Sequence, residues 1–123
     1  MKILTIEDDK FFQKFYTTKL TEHGYEVFIA ANGVEGLQKA RENHPDLILL
    51  DIIMPQKDGF EVLEEMRGDP HLKNIPVIVF STLGQEEDVQ KAMNLGAKGY
   101  VNKSLFDLDS LIAKISSFGT KPG

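Results

Sequence analysis

Two hydrophobic patterns alternate along the chain. Short, almost unbroken apolar runs (KILTI at 2–6, LILL at 47–50, VIVF at 77–80) are separated by longer stretches. In those stretches apolar residues recur every three or four positions, the spacing of one helix face. The runs predict strands over Lys2–Ile6, Glu26–Ala30, Asp46–Leu50, Val77–Phe80 and Gly99–Val101. LILL does not alternate with polar residues, which predicts burial on both faces, as in the middle of a parallel sheet.

The longer stretches predict five helices. Lys10–Glu22 would turn Phe12, Phe15, Tyr16 and Leu20 inward, with Phe11 thickening that stripe. Val34–Glu42 carries Val34, Leu37, Ala40 and the stem of Arg41, and Gly59–Met66 carries Phe60, Leu63 and Met66. Gln85–Leu95 offers Val89, Ala92, Met93 and Leu95, and Asp107–Phe118 offers Leu108, Leu111, Ile112 and Ile115. His23-Gly24 and Gly96 read as helix ends, since glycine accepts the left-handed turn there. Asn32-Gly33, Asp58-Gly59 and Gly68-Asp69-Pro70 read as loops. Five strands, each followed by a helix, make a doubly wound α/β layer fold.

The chain of 123 residues suits one domain with one core, over residues 1–118. The tail 119–123 reads as disordered or as the start of a linker. The chain has no cysteine, which removes disulfides, a thiol nucleophile and thiolate metal sites. The N-terminus lacks a secretory apolar segment and no run reaches membrane-spanning length, so a cytoplasmic setting is expected. A net charge of -5 argues against direct nucleic-acid binding by this domain. Lys91, Lys98 and Lys103 form a sparse basic group, and His23, His44 and His71 lack metal-ligand spacing.

Chemistry concentrates at the ends of the predicted strands. In open parallel α/β sheets ligands bind beyond the carboxyl ends. Glu7, Asp8 and Asp9 follow the first strand, Asp51 the third, Ser81 and Thr82 the fourth, and Lys103 the fifth. If strands one, three and four are neighbours, one crevice gathers these groups. Clustered carboxylates need a counter-charge, which Lys103 and a divalent cation can supply. Oxygen ligands alone favour a hard cation, Mg²⁺ or Mn²⁺. Asp8 and Asp9 could instead cap the helix starting near Lys10; capping needs only one of them. A carboxylate can serve as nucleophile and form an aspartyl-phosphate, and Asp51 is placed for that. Neither a Walker-type loop nor a GxGxxG follows the first strand, which argues against nucleotide binding.

With EDD after strand one, LLDIIMPQKDG around Asp51, VFST ending strand four and GAKGYVNK leading to Lys103, residues 2–118 resemble the receiver domain of response regulators, the CheY-like family. The resemblance implies a five-stranded parallel sheet in the order 2-1-3-4-5. It implies Asp51 as phosphoacceptor, and Asp8 and Asp9 holding Mg²⁺ with Asp51 and the Ile53 carbonyl. Ser81 would be the switch hydroxyl, Tyr100 its aromatic partner, and Lys103 the salt bridge to the phosphoryl group. Met54, Pro55, Asp58 and Gly59 match the loop after the acceptor. Donors would be a histidine kinase or a histidine phosphotransfer protein, with acetyl phosphate as a small substitute. Output would leave through the face at about residues 85–118, to a downstream protein, a linked domain or a second copy in a phosphorylation-dependent homodimer.

Three departures from the family pattern matter. Lys103 precedes Ser104 where proline with a cis bond is usual. A cis bond before a non-proline residue costs about 2.5–4 kcal/mol, so this loop either holds that strain or is trans. Thr82 stands where alanine is common and narrows access to Asp51. Ile53 and Leu83 lie where side chains manage hydrolytic water, and neither offers it a hydrogen bond; slow self-dephosphorylation is expected. Two competing functions are weaker. An aspartyl-phosphate phosphatase would want an acid where Ile53 stands. An inert receiver-like module would lack an acid or the lysine that this chain keeps.

Overall fold

The computed structural model describes residues 1–118; the expectation for 119–123 falls outside the described residues. The order of elements is β1 (Lys2–Ile6), α1 (Lys10–Glu22), β2 (Glu26–Ala30), α2 (Gly33–Asn43), β3 (Leu47–Leu50), α3 (Gly59–Arg67), β4 (Val77–Ser81), α4 (Glu86–Asn94), β5 (Gly99–Asn102) and α5 (Leu108–Ser116). The strands form one parallel sheet in the order β2-β1-β3-β4-β5. This is the doubly wound fold expected from the alternation of runs.

The apolar strands are buried on both faces because successive side chains point to opposite sides. Leu47 and Leu49 join Ile3, Ile78 and Phe80 under α1 and α5. Ile48 and Leu50 join Leu4, Ile6 and Val79 under α2, α3 and α4. No helix among the described residues is long and apolar enough to cross a membrane.

Helix faces correct several expectations. The buried residues of α2 are Gly33, Gly36, Leu37 and Ala40, a clean i, i+3, i+4, i+7 face. Val34 sits about 100° off it and is exposed, while Arg41 reaches out to Asp69 at 3.3 Å. The same spacing in α3 buries Gly59, Val62, Leu63 and Met66. Val62 therefore takes the inner place expected of Phe60, which is half-buried with Lys91 above its ring. In α4 only Ala92 is buried and Met93 is exposed. Phe11 is 70% exposed, because α1 turns Tyr16 and Leu20 to the sheet, with Phe12 and Phe15 half-buried beside them.

Side-chain caps set the starts of α2 and α3. Asn32 accepts from the Glu35 N–H of α2, and Asp58 and Glu61 close a capping box on α3. At the other end of α4, Gly96 has φ +106 and its N–H donates to the Met93 carbonyl at 3.0 Å. The expected left-handed terminator is present.

Gly59 has a different reason to be glycine. A Cβ there would lie 2.5 Å from the Asp51 carbonyl oxygen and 2.7 Å from Ile52 Cα, both backbone atoms that cannot swing aside. At Gly68 the nearest atom to such a Cβ is 3.8 Å away and φ is -88. Gly59→Ala is expected to destabilise the protein by about 1–3 kcal/mol in urea unfolding, whereas Gly68→Ala should be neutral or slightly stabilising. Equal effects of the two substitutions would contradict this packing.

Candidate functional site

Sheet hydrogen bonds run one residue past the strands and fix the site by its backbone. The Glu7 N–H donates to the Ala30 carbonyl at 2.9 Å, the Asp51 N–H to Ile6 at 3.0 Å, and the Lys103 N–H to Ser81 at 2.9 Å. Three residues on three strands are thereby held at one edge, and their side chains meet. Lys103 Nζ donates to Asp51 Oδ2 at 3.0 Å and forms an ion pair with Glu7 Oε1. All three residues are buried.

Negative charge exceeds positive here. Carboxylate oxygens of Glu7, Asp8 and Asp51 all lie within 4.8 Å of one another, with one ammonium beside them. Burial pushes the Glu7 carboxyl up to about 7, with the Asp51 charge adding to the rise; the Lys103 hydrogen bond opposes it. The Tyr16 hydroxyl donates to Glu7 Oε1 at 3.3 Å, and burial followed by the Glu7 and Asp51 charges drives its own pKa upward. An all-oxygen donor set, short of positive charge and with Asp8 open to solvent, fits a hard divalent cation. Such an ion would be held by Glu7, Asp8 and Asp51.

The acidic triplet therefore divides differently from the sequence reading. Asp9 was expected as a metal ligand beside Asp8, but it is the N-cap of α1. Its Oδ1 accepts from the N–H groups of Phe11 at 2.8 Å and Phe12 at 3.2 Å. Asp9 stands outside the group of carboxylates that could hold an ion together, which consists of Glu7, Asp8 and Asp51. The cause is the pleat and the helix start: Glu7 continues the ladder of β1 inward, while Asp9 lies where α1 leaves orphan N–H groups.

The remaining positions surround this centre. Ser81 is fully buried, and its Oγ accepts from the Leu83 N–H at 3.3 Å. The Tyr100 hydroxyl donates to the Leu83 carbonyl at 2.6 Å. Burial raises the Tyr100 pKa, helped by the Asp88 and Asp51 charges. Thr82 is exposed, and Leu83 packs against the inner cluster with Met54 and Tyr100. The Ile53 N–H donates to Asp51 Oδ1 at 3.3 Å, while its side chain is 52% exposed.

No peptide bond among the described residues is cis, so Lys103–Ser104 is trans. The lysine still reaches Asp51. The Ser104 N–H, a donor that proline would lack, is satisfied by Asn102 Oδ1 at 2.8 Å. Sequence reading missed Asn102, the place of Glu7 in the carboxylate group, and the ring of Phe12 over Lys103. Only Glu7 carried a usable signal: it directly follows β1, as Asp51 follows β3.

The model of the family described as "Response regulator receiver domain" matches residues 3–116. The DNA-binding dual master transcriptional regulator RpaA of Synechocystis is 35% identical over 93% of the chain and 47% of its own length. The chain spans about half the length of several curated relatives of this kind. The polar-differentiation response regulator DivK of Brucella ovis is 33% identical over 84% of each chain. Among solved structures, the Mn²⁺-bound form of response regulator Rcp1 superimposes with a TM-score of 0.82, at 32% identity over 99% of this chain and 96% of that one. Fold, strand-end residues and family match agree, and the chain belongs to the response regulator receiver domains.

Proposed function

We propose that Asp51 receives a phosphoryl group from a phosphohistidine donor and that its acylated form changes a partner or linked output domain. One observation carries the reading: a buried aspartate lies 3.0 Å from a buried lysine and within 4.8 Å of two further acids. The P–N bond to the donor imidazole breaks as a P–O bond to Asp51 forms, and the imidazole keeps the electron pair. A divalent cation, when bound, offsets charge on the phosphoryl oxygens. Glu7, Asp8 and Asp51 would hold it, with the Ile53 carbonyl as a further ligand. Lys103 is the fixed positive group facing the same oxygens. As a receiver domain the chain accepts a phosphoryl group rather than turning over a small molecule.

The donor is read as a protein, a histidine kinase or histidine phosphotransfer protein. The exposed apolar residues Phe11, Val34, Ile53 and Leu105 lie in the loops or first helical turns that follow β1, β2, β3 and β5, the strand ends that also lead into the acidic centre. Scattered apolar residues on a surface are ordinary; several at one sheet edge suit an apolar docking partner. Residues 1–118 would be the receiver unit.

The switch would run through one residue. Ser81 Oγ and the Tyr100 hydroxyl both bond to Leu83, one at its N–H and one at its carbonyl. A Ser81 hydroxyl that turns to a phosphoryl oxygen releases the Leu83 N–H. The Leu83 carbonyl and Tyr100 then adjust together, on the side where β5 and α4 present the output face.

Incubation with acetyl phosphate and Mg²⁺ is expected to add one phosphoryl mass to the wild-type chain and none to Asp51→Asn. An adduct on both, or on neither with acetyl phosphate and with a phosphohistidine donor, would contradict the reading. Lifetime is a second outcome: Ile53 and Thr82 give water an apolar, narrowed approach, so Ile53→Asn should shorten the acyl-phosphate half-life several-fold, and an unchanged decay would count against that role. Linkage gives a third. The Glu7 pKa is raised from 4.5 to about 7 in the fold. Its stabilising proton is thus fully present below about pH 4.5 and lost as pH rises through about 7. Metal-free protein should lose melting temperature across that window, and Glu7→Gln should flatten the profile; an equally steep profile in the variant would refute the assignment.

A further inference from the structure

Lys103 has three N–H donors and is buried. One donor goes to Asp51 and one to Glu7, and the ammonium lies over the ring of Phe12, 4.4 Å from its centroid. Phe80 lies farther off at 5.9 Å. The Phe12 ring is itself held: it meets Phe80 edge-on at 5.8 Å and 80°, Phe11 at 5.2 Å and 87°, and Phe15 at 6.2 Å and 79°. An aromatic face attracts a cation most strongly where water is excluded.

We propose that Phe12 is the positioning residue for Lys103, its ring face holding the ammonium while the carboxylate partners change. The need arises from this chain's own loop. Ser104 follows Lys103 through a trans bond, and its N–H donates to the Asn102 side chain. Glu7 and Asp51 also belong to the carboxylate group that would bind a cation, so their hold on the ammonium weakens when that charge is offset. Phe12 has no formal charge and does not compete for the cation. Of the two aromatic rings beside the Lys103 ammonium it is the nearer, and neither ring changes when Asp51 is acylated. The inference rests on the acceptor reading of Asp51 only for its kinetic consequence.

The test compares Phe12→Tyr, which keeps the ring face, with Phe12→Met, which keeps apolar volume without one. In the wild-type full chain, the Lys103 ε-methylene protons should show an upfield ring-current shift by NMR. That shift should persist in Phe12→Tyr and shrink in Phe12→Met to the smaller contribution of the more distant Phe80 ring. Acylation by acetyl phosphate with Mg²⁺ should slow roughly tenfold in Phe12→Met and stay within about twofold in Phe12→Tyr. A wild-type Lys103 without the shift would overturn the proposal. So would equal behaviour of the two variants, the result expected if Phe12 only fills space. The NMR arm needs no phosphoryl transfer, so a failure of the acceptor reading is seen separately.

Discussion

The constraint behind this structure is electrostatic: one buried ammonium, Lys103, stands against Glu7 and Asp51, with Asp8 within reach. Buried ion pairs add little stability over apolar packing, yet removing one partner typically costs about 3–5 kcal/mol. A fold selected only for stability would do as well with leucines here. The deficit of positive charge is one that a divalent cation could balance, or a proton on Glu7 could partly offset. The raised pKa of Glu7 is the same imbalance seen from one residue.

The sheet makes that crowding unavoidable. Ile6 pairs with Leu50, Leu50 with Val79, and Ser81 with Asn102. The residue after each of β1, β3 and β5 is then clamped by a backbone hydrogen bond to the neighbouring strand. A one-residue slip of β3 would turn Asp51 to the opposite face. The fully buried Leu47–Leu50 run holds the register, since each of its side chains is seated in one of the two cores. Packing far from the crevice therefore sets distances inside it, and Gly59 lets α3 start against the Asp51 backbone.

Much of this was legible in the sequence. Non-alternating LILL and VIVF told of a parallel sheet, and charged residues just past them told where chemistry would sit. The element starts and ends agreed to within a residue or two. What failed were choices between adjacent residues. Phe11, Val34 and Met93 are apolar, but helical rotation carries each off the buried face beside it. Asp8 and Asp9 look equivalent as letters; only the N–H groups opened by α1 show which one caps. Contacts between distant segments, such as Phe12 with Lys103, leave no local signal.

The division of the acidic triplet is the central claim, and a crystal structure of the chain grown with Mg²⁺ tests it most directly. The expected result is an octahedral ion with Glu7, Asp8 and Asp51 in or bridged to its shell, while Asp9 remains on the Phe11 and Phe12 N–H groups. An ion bound by Asp8 and Asp9, with α1 uncapped and Glu7 left on Lys103 alone, would contradict it.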